Sequence, residues 1–148
     1  ISLAIGWNMV SVPVEAADMS VDAVFPDAEA VYWWDPATKS YTVPTTIAPE
    51  LSYWVAVTSA DTVTVTGTPV TEWTDELAAG WNMAGSVYGD PVAVGDLVDN
   101  PDGSVQMNAI YHWNPGTKSY DVATQIAQGL GYWMAATGTC DLTVAPSA

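Results

Sequence analysis

Val31-Tyr32-Trp33-Trp34-Asp35-Pro36-Ala37-Thr38-Lys39-Ser40-Tyr41 returns in the same chain as Ile110-Tyr111-His112-Trp113-Asn114-Pro115-Gly116-Thr117-Lys118-Ser119-Tyr120. Each copy places aromatic residues two apart, then an Asx-Pro dipeptide. Asp35-Pro36 and Asn114-Pro115 suit the first two positions of a type I turn, because the Asx side chain caps the turn and Pro arrives with φ already set. The stretch therefore reads as a β-hairpin, present twice. Outward from it, Gly6-Trp7-Asn8-Met9 recurs as Gly80-Trp81-Asn82-Met83, and Tyr53-Trp54-Val55-Ala56 recurs as Tyr132-Trp133-Met134-Ala135. The first block repeats after 74 residues (Gly6 to Gly80) and the other two after 79 (Tyr53 to Tyr132), so the second copy holds five extra residues, near Asp99 to Gln106. Self-similarity at a fixed spacing is the mark of a repeated structural unit. The repeats are assigned to residues 1–73 and 74–148.

The periodicity is that of strands. Leu3, Ile5, Trp7 and Met9 alternate with small or polar residues, and Val10, Val12 and Val14 continue in the other phase. This predicts a long first strand with a bulge near Met9. Ser20 to Phe25 reads as a short helix with Ser20 as N-cap and Pro26 as its stop. Its counterpart is expected from Pro91 to about Val98. Strands are expected over 52–58 and 62–66, with Val63 and Val65 inward. The second copy repeats that hairpin over 132–137 and 141–144. The fold class is thus all-β with one short helix per repeat. Two pseudo-symmetric units of about five strands each, as small barrels or half-sandwiches, pack closely.

The chain has 148 residues, of which 49% are apolar and 13% charged, and its formal net charge is −15. Asp and Glu number 17, against two lysines and no arginine. Nucleic-acid binding needs cations to displace phosphate counterions and is excluded. Docking on anionic membranes is disfavoured for the same reason. No apolar run reaches the roughly 18 residues of a membrane helix. Ile1 stands where a Met would open a nascent chain, and no basic-then-apolar leader follows, as expected of a mature fragment or an excised module. Cys140 is the only cysteine, which rules out an internal disulfide and a C-x-x-C site; it reads as a buried strand hydrophobe.

Eight tryptophans and seven tyrosines, with one phenylalanine, are the strongest chemical signal. Burying all the indoles would release, grossly, on the order of 40 kcal/mol. Two small β units have little interior for so many, so some are expected on the surface. Successive strand side chains point to opposite faces, so Tyr53 and Trp54 cannot both be core, nor can Tyr132 and Trp133. Tyr32 and Trp34 share a face opposite Trp33. Assigning that pair to the core leaves Trp33 exposed, with His112 in its place in the second copy. Trp33, Trp73 and Tyr88 have no aromatic counterpart. Trp73 is expected to pack the seam between copies. Trp33 is the leading candidate for an exposed platform. The candidate ligand-binding set is Trp33, Trp34, Trp54, Tyr88, Trp113 and Trp133. A flat indole stacks on the apolar face of a pyranose ring, and a low-cation surface suits neutral glycans.

Catalysis has little support. His112 is the only histidine, and Trp33 occupies its place in the other copy. Asp35 becomes Asn114, as a turn cap can and a catalytic carboxylate cannot. No catalytic residue, metal or cofactor is assigned. Asp99-Asn100-Pro101-Asp102-Gly103-Ser104 is read as a polar turn, not as a calcium loop, for it lacks the spacing and the terminal Glu of one. Lys39 and Lys118 are expected to pair with carboxylates at the hairpin ends.

The pattern G-W-N-[apolar]…Y-x-W-[DN]-P-x-T-x-S-Y…Y-W-[apolar] resembles a β-repeat found at the ends of large secreted bacterial and archaeal surface proteins. The resemblance spans both copies. In that repeat the last block usually begins with Gly; Gly131-Tyr132-Trp133 fits, whereas Ser52 precedes Tyr53 in the first copy. The likeness implies an extracellular module of a larger secreted protein. The aromatic-rich all-β composition is more loosely similar to carbohydrate-binding modules. The expected function is a non-enzymatic module that binds neutral polysaccharide by stacking. The alternative is a structural or adhesive repeat serving as spacer or protein–protein contact.

Overall fold

The Gly-Trp-Asn motif sets the start of each repeat's sheet. Gly6 and Gly80 take φ of +93° and +96°, a region open to glycine. The buried Asn two residues on then closes the bend. Asn8 accepts from the Ala4 N–H and donates to the Ala4 carbonyl, both at 2.9 Å. Asn82 does the same with Ala78, at 3.1 and 2.9 Å. Between them the Trp side chain is turned outward.

The computed structural model describes residues 1–146. The first repeat contains β1 (Ser2–Leu3), β2 (Gly6–Val10), β3 (Val14–Glu15), α1 (Val21–Val24), β4 (Ala30–Asp35), β5 (Ser40–Thr42), β6 (Tyr53–Val57), β7 (Asp61–Thr62) and β8 (Thr68–Pro69). The second contains β9 (Trp73–Leu77), β10 (Gly80–Ala84), β11 (Val92–Ala93), β12 (Val98–Asn100), β13 (Tyr111–Asn114), β14 (Ser119–Val122), β15 (Gln125–Ile126), β16 (Tyr132–Ala136) and β17 (Cys140–Val144). Each repeat is built on one antiparallel four-stranded sheet, in the order β2-β6-β4-β5 and β10-β16-β13-β14. The chain is all-β and its sheets fall into two halves, as the repeat pattern implies.

Both hairpins form at the Asx-Pro turns. Asp35 pairs with Ser40, and Asn114 with Ser119. The Asp35 carboxylate accepts from the Ala37 N–H at 2.9 Å, and the Asn114 amide oxygen from the Gly116 N–H at 2.9 Å. Lys39 and Lys118 close the turns at φ of 53° and 54°. Lys39 does not pair with a carboxylate: its ammonium donates to the Ala79 carbonyl at 3.0 Å, tying the first hairpin to the second repeat.

Several local expectations are corrected. The first strand does not run through: Gly6 bends the chain, and β1, β2 and β3 join different partners. α1 forms with Ser20 as its cap, accepting from the Ala23 N–H. Its counterpart at Pro91–Val98 is a single 3-10 turn, Val94–Asp96, flanked by strand residues. Val92 and Val94 turn into the core there, and the local β register wins over weak helix preference. The last two strands of each repeat do not form hairpins. β7 pairs with β1, and β17 lies between β9 and β12. β12 borders the five-residue insertion and adds an edge strand to the second repeat.

Each repeat has its own core. Leu3, Val12, Phe25, Val31, Ile47, Tyr53 and Val55 belong to the first, and Trp73, Leu77, Val92, Ile110, Ile126, Met134 and Leu142 to the second. Cys140 is buried with the latter, as expected. Backbone hydrogen bonds stitch the repeats together in reciprocal pairs. Gly131 N–H donates to the Met9 carbonyl and Ser52 N–H to that of Met83; Ser11 N–H donates to Gly129 and Gly85 N–H to Glu50. Reciprocal contacts of this kind are what a two-fold relation between like units produces. On the seam the Ser11 and Ser86 hydroxyls lie 2.7 Å apart, buried. Trp73, expected to pack the seam between copies, is instead buried within the second repeat, donating its indole N–H to the Ser86 carbonyl at 3.0 Å. Its packing partners are the second core.

Candidate functional site

Strand alternation decides which rings face outward. In β6 and β16, Tyr53 and Tyr132 point inward, where their hydroxyls accept from the Ala48 and Ala127 N–H groups at 2.9 and 2.8 Å. Burial pushes both phenols above the usual tyrosine range. Trp54 and Trp133, one residue on, must face the other way. In β4, Tyr32 and Trp34 lie on that same outer face. The turn then brings Tyr41 opposite Trp34, and Tyr120 opposite Trp113. Trp7 and Trp81 complete the set, 42% and 43% exposed.

The ten rings form a closed circuit. In the first repeat, Trp54 meets Trp7 at 6.4 Å, Trp7 meets Tyr32 at 5.8 Å, Tyr32 meets Tyr41 at 6.5 Å and Tyr41 meets Trp34 at 5.0 Å. Trp34 then crosses to Trp133 of the second repeat at 6.0 Å. The mirror path runs Trp133, Trp81, Tyr111, Tyr120 and Trp113 at 6.3, 5.9, 6.4 and 5.1 Å. Trp113 returns to Trp54 at 5.7 Å. These are edge-to-face or tilted contacts, the arrangement that ring quadrupoles prefer.

Two clefts open on the circuit. One, of about 440 Å³, is lined by Trp7, Tyr32, Tyr41, Trp54, Trp113 and Tyr120. The other, of about 410 Å³, is lined by Trp81, Tyr111, Tyr120, Trp133, Trp34 and Tyr41. Repeat equivalence exchanges the two lists residue for residue. No charged side chain lines either cleft among the described residues. The polar groups available are phenol hydroxyls and indole N–H groups. Trp133 donates its indole N–H to the Tyr120 hydroxyl at 3.3 Å. Desolvation pushes the Tyr120 phenol upward, that hydrogen bond opposes the rise, and the nearby Tyr41 phenol adds to it. The Tyr120 hydroxyl therefore keeps its proton at neutral pH and has it free to donate. The clefts can hold an uncharged, ring-shaped ligand with apolar faces and hydroxyl edges.

Of the sequence-derived candidates, Trp34, Trp54, Trp113 and Trp133 meet in this circuit. Trp33 does not. Expected as an exposed platform, it is half-buried and packs on the first core, because Tyr32 and Trp34 take the outer face and alternation sends Trp33 inward. His112, its counterpart, meets the Tyr132 ring at 5.6 Å and a tilt of 46°, and its Nδ1 lies 3.0 Å from the Gly131 carbonyl oxygen. Tyr88 is exposed but lines a separate, smaller groove with Ile1, Val14 and Gln128. The sequence-derived set leaves out Trp7, Tyr32, Tyr41, Trp81, Tyr111 and Tyr120, which the structure brings into the circuit. The signal was present: each hairpin turn fixes a register that places Trp34 on Tyr41 and Trp113 on Tyr120. In the Asp99–Ser104 turn, the Asp99 carboxylate accepts from the Val105 N–H at 2.8 Å, as a turn-closing residue does.

The chain matches no family model, no curated protein and no solved structure. The site is therefore read from its own chemistry.

Proposed function

We propose that the chain is a non-catalytic carbohydrate-binding module that takes single chains of neutral polysaccharide, as part of a larger extracellular protein. The observation that carries this reading is the outward-facing circuit of ten aromatic rings, enclosing two clefts without a charged lining residue. Pyranose C–H faces stack on indole and phenol rings, and the phenol hydroxyls and indole N–H groups can serve sugar hydroxyls. Contiguous exposed apolar surface of this kind marks an interaction site in monomeric proteins. Ring orientation narrows the ligand. Neighbouring rings meet at 39° to 85°, so no two adjacent rings form a coplanar platform, which disfavours the flat surface of a crystalline polymer. A dissolved chain, approached by rings from several sides, fits the angles. The net charge of −15 disfavours polyuronates. The setting of His112, held between Tyr132 and a backbone carbonyl, supports a structural role over a catalytic one.

The test is retardation in native gels containing soluble β-glucan, xylan or mannan, with indole fluorescence measured in parallel. Retardation is expected with at least one polymer, no depletion by microcrystalline cellulose, and loss of retardation in the double variant Trp54→Ala/Trp133→Ala, which strips one indole from each cleft, with the fold intact. No retardation across the panel refutes the reading and favours a spacer or protein-contact role.

A further inference from the structure

We infer that the chain carries two equivalent saccharide sites related by its internal two-fold, each completed across the seam by the other repeat. This rests on the carbohydrate-binding reading and goes beyond it in number, composition and assembly of the sites. Three observations carry it. First, the clefts are alike in size, about 440 and 410 Å³, within the range of roughly 300–1,000 Å³ typical of small-ligand pockets. Second, the linings are identical in residue type at every equivalent position: three Trp and three Tyr in each. Equal chemistry in equal geometry gives near-equal affinity. Third, neither cleft is built by one repeat alone. Trp7, Tyr32 and Trp54 need Trp113 from the second repeat, which stands 5.7 Å from Trp54. Trp81, Tyr111 and Trp133 need Trp34 from the first, 6.0 Å from Trp133. Tyr41 and Tyr120 line both clefts and form the wall between them.

The crossed construction makes an unusual pattern of loss. Substitution of Trp113 or Trp34, the indole each repeat lends across the seam, removes the site whose main walls lie in the other repeat. Two independent repeats with one site each would behave in the opposite way. A chain with this arrangement also holds two segments of polymer at once, so that release of one leaves the other engaged.

The experiment is an NMR titration of indole N–H resonances in the whole chain with cellotriose, xylotriose and mannotriose in turn. Trioses are chosen because a longer chain could occupy both clefts. In the wild type, the indoles of Trp7 and Trp54 and those of Trp81 and Trp133 are expected to shift with one common affinity. In Trp113→Ala, the affinity reported by Trp7 and Trp54 is expected to fall by about tenfold or more, as for a central aromatic anchor, while that reported by Trp81 and Trp133 changes less than about twofold. Trp34→Ala is expected to give the mirror result, and Tyr41→Ala to weaken both sets. The inference alone is overturned by a response from only one set in the wild type, or by loss in Trp113→Ala of the Trp81 and Trp133 responses with those of Trp7 and Trp54 retained. Retention by a polysaccharide gel without any triose response also overturns it, while the binding reading stands. Absence of both overturns both. Because Trp34→Ala and Trp113→Ala lie in different repeats, a folding defect in one leaves the other to decide.

Discussion

Replacing Gly131 with alanine tests the two-fold seam directly. A Cβ built at Gly131 would stand 2.5 Å from the Ser52 Cβ, 3.0 Å from its Oγ and 3.1 Å from Met9 Cγ. Carbon atoms in good contact sit about 3.5–4.0 Å apart, so the overlap with Ser52 is about 1 Å. Neither backbone yields easily. Gly131 donates to Met9 at 3.0 Å beside the Val10–Leu130 bridge, and Ser52 is flanked by the Leu51–Ala84 bridge. Overpacking at a pinned position costs about 1–3 kcal/mol, and the doubly held seam argues for about 2–3. For a chain of this size that lowers Tm by about 4–12 °C. The partner substitution supplies the control. Ser52→Gly removes two of the three close contacts and leaves only Met9, a side chain flexible enough to shift. Alone, Ser52→Gly is expected to cost under about 1 kcal/mol, since added backbone freedom is offset by removal of a buried hydroxyl without a hydrogen-bond partner. The double variant should therefore recover about 1–2 kcal/mol of the Gly131→Ala loss, a coupling read by a double-mutant cycle. Urea unfolding followed by indole fluorescence measures all four stabilities. Gly131→Ala within about 0.5 kcal/mol of wild type, or strict additivity with Ser52→Gly, would refute the seam as described.

Four further outcomes follow from the same geometry. Asn82→Ala strips the Ala78 N–H and carbonyl of their partners and is expected to cost about 2–3 kcal/mol in thermal unfolding. Trp33→Ala is expected to destabilise by about 1–3 kcal/mol, less than a fully buried Trp, while leaving glycan retardation intact, since its ring lies on the core side. Asp75 is pushed above its usual value of 3.8, first by desolvation, then by the charge of Glu50. A carboxyl whose folded pKa exceeds its unfolded one destabilises the charged fold; stability is recovered as pH falls through the folded value and levels off below the unfolded one. Asp75→Asn is therefore expected to raise the urea midpoint at pH 7, with its advantage shrinking to nothing below about pH 4. Cys140 is buried in β17, and desolvation raises its thiol, so alkylation at pH 8 is expected to be slow in the native protein and fast in urea, as mass spectrometry would register.

Much of the fold was legible in the residues because its devices are local. The Asx-Pro turns set both central hairpins, Ser20 capped α1, and the recurrence of Gly-Trp-Asn announced two copies of one unit. What failed was long-range pairing. The segments around Asp61 and Cys140 read as hairpin arms, yet β7 joins β1 and β17 joins β9, because a strand pattern states which face is apolar and not which edge is free. The helix expected after Pro91 gave way for a related reason: Val92 and Val94 had core space to fill, and a 3-10 turn reaches it.

The site divides along the same line. Alternation alone put Trp33 on the face opposite Tyr32 and Trp34, and Trp54 opposite Tyr53. It left open which face is water and which is core. Tertiary structure chose by lowering Tyr53 and Trp33 onto the first core, which turned Trp34 and Trp54 outward. The seam also explains why Ser52 stands where the second copy has Gly131: the two meet across the two-fold, and there is room for only one side chain. By itself the sequence determined the repeat, the strand faces and the excess of indole. Only the tertiary structure decided that the two sets of outward rings meet, because the contacts of Trp34 with Trp133 and of Trp54 with Trp113 depend on how two sheets dock, and docking is set by surfaces far apart in the chain.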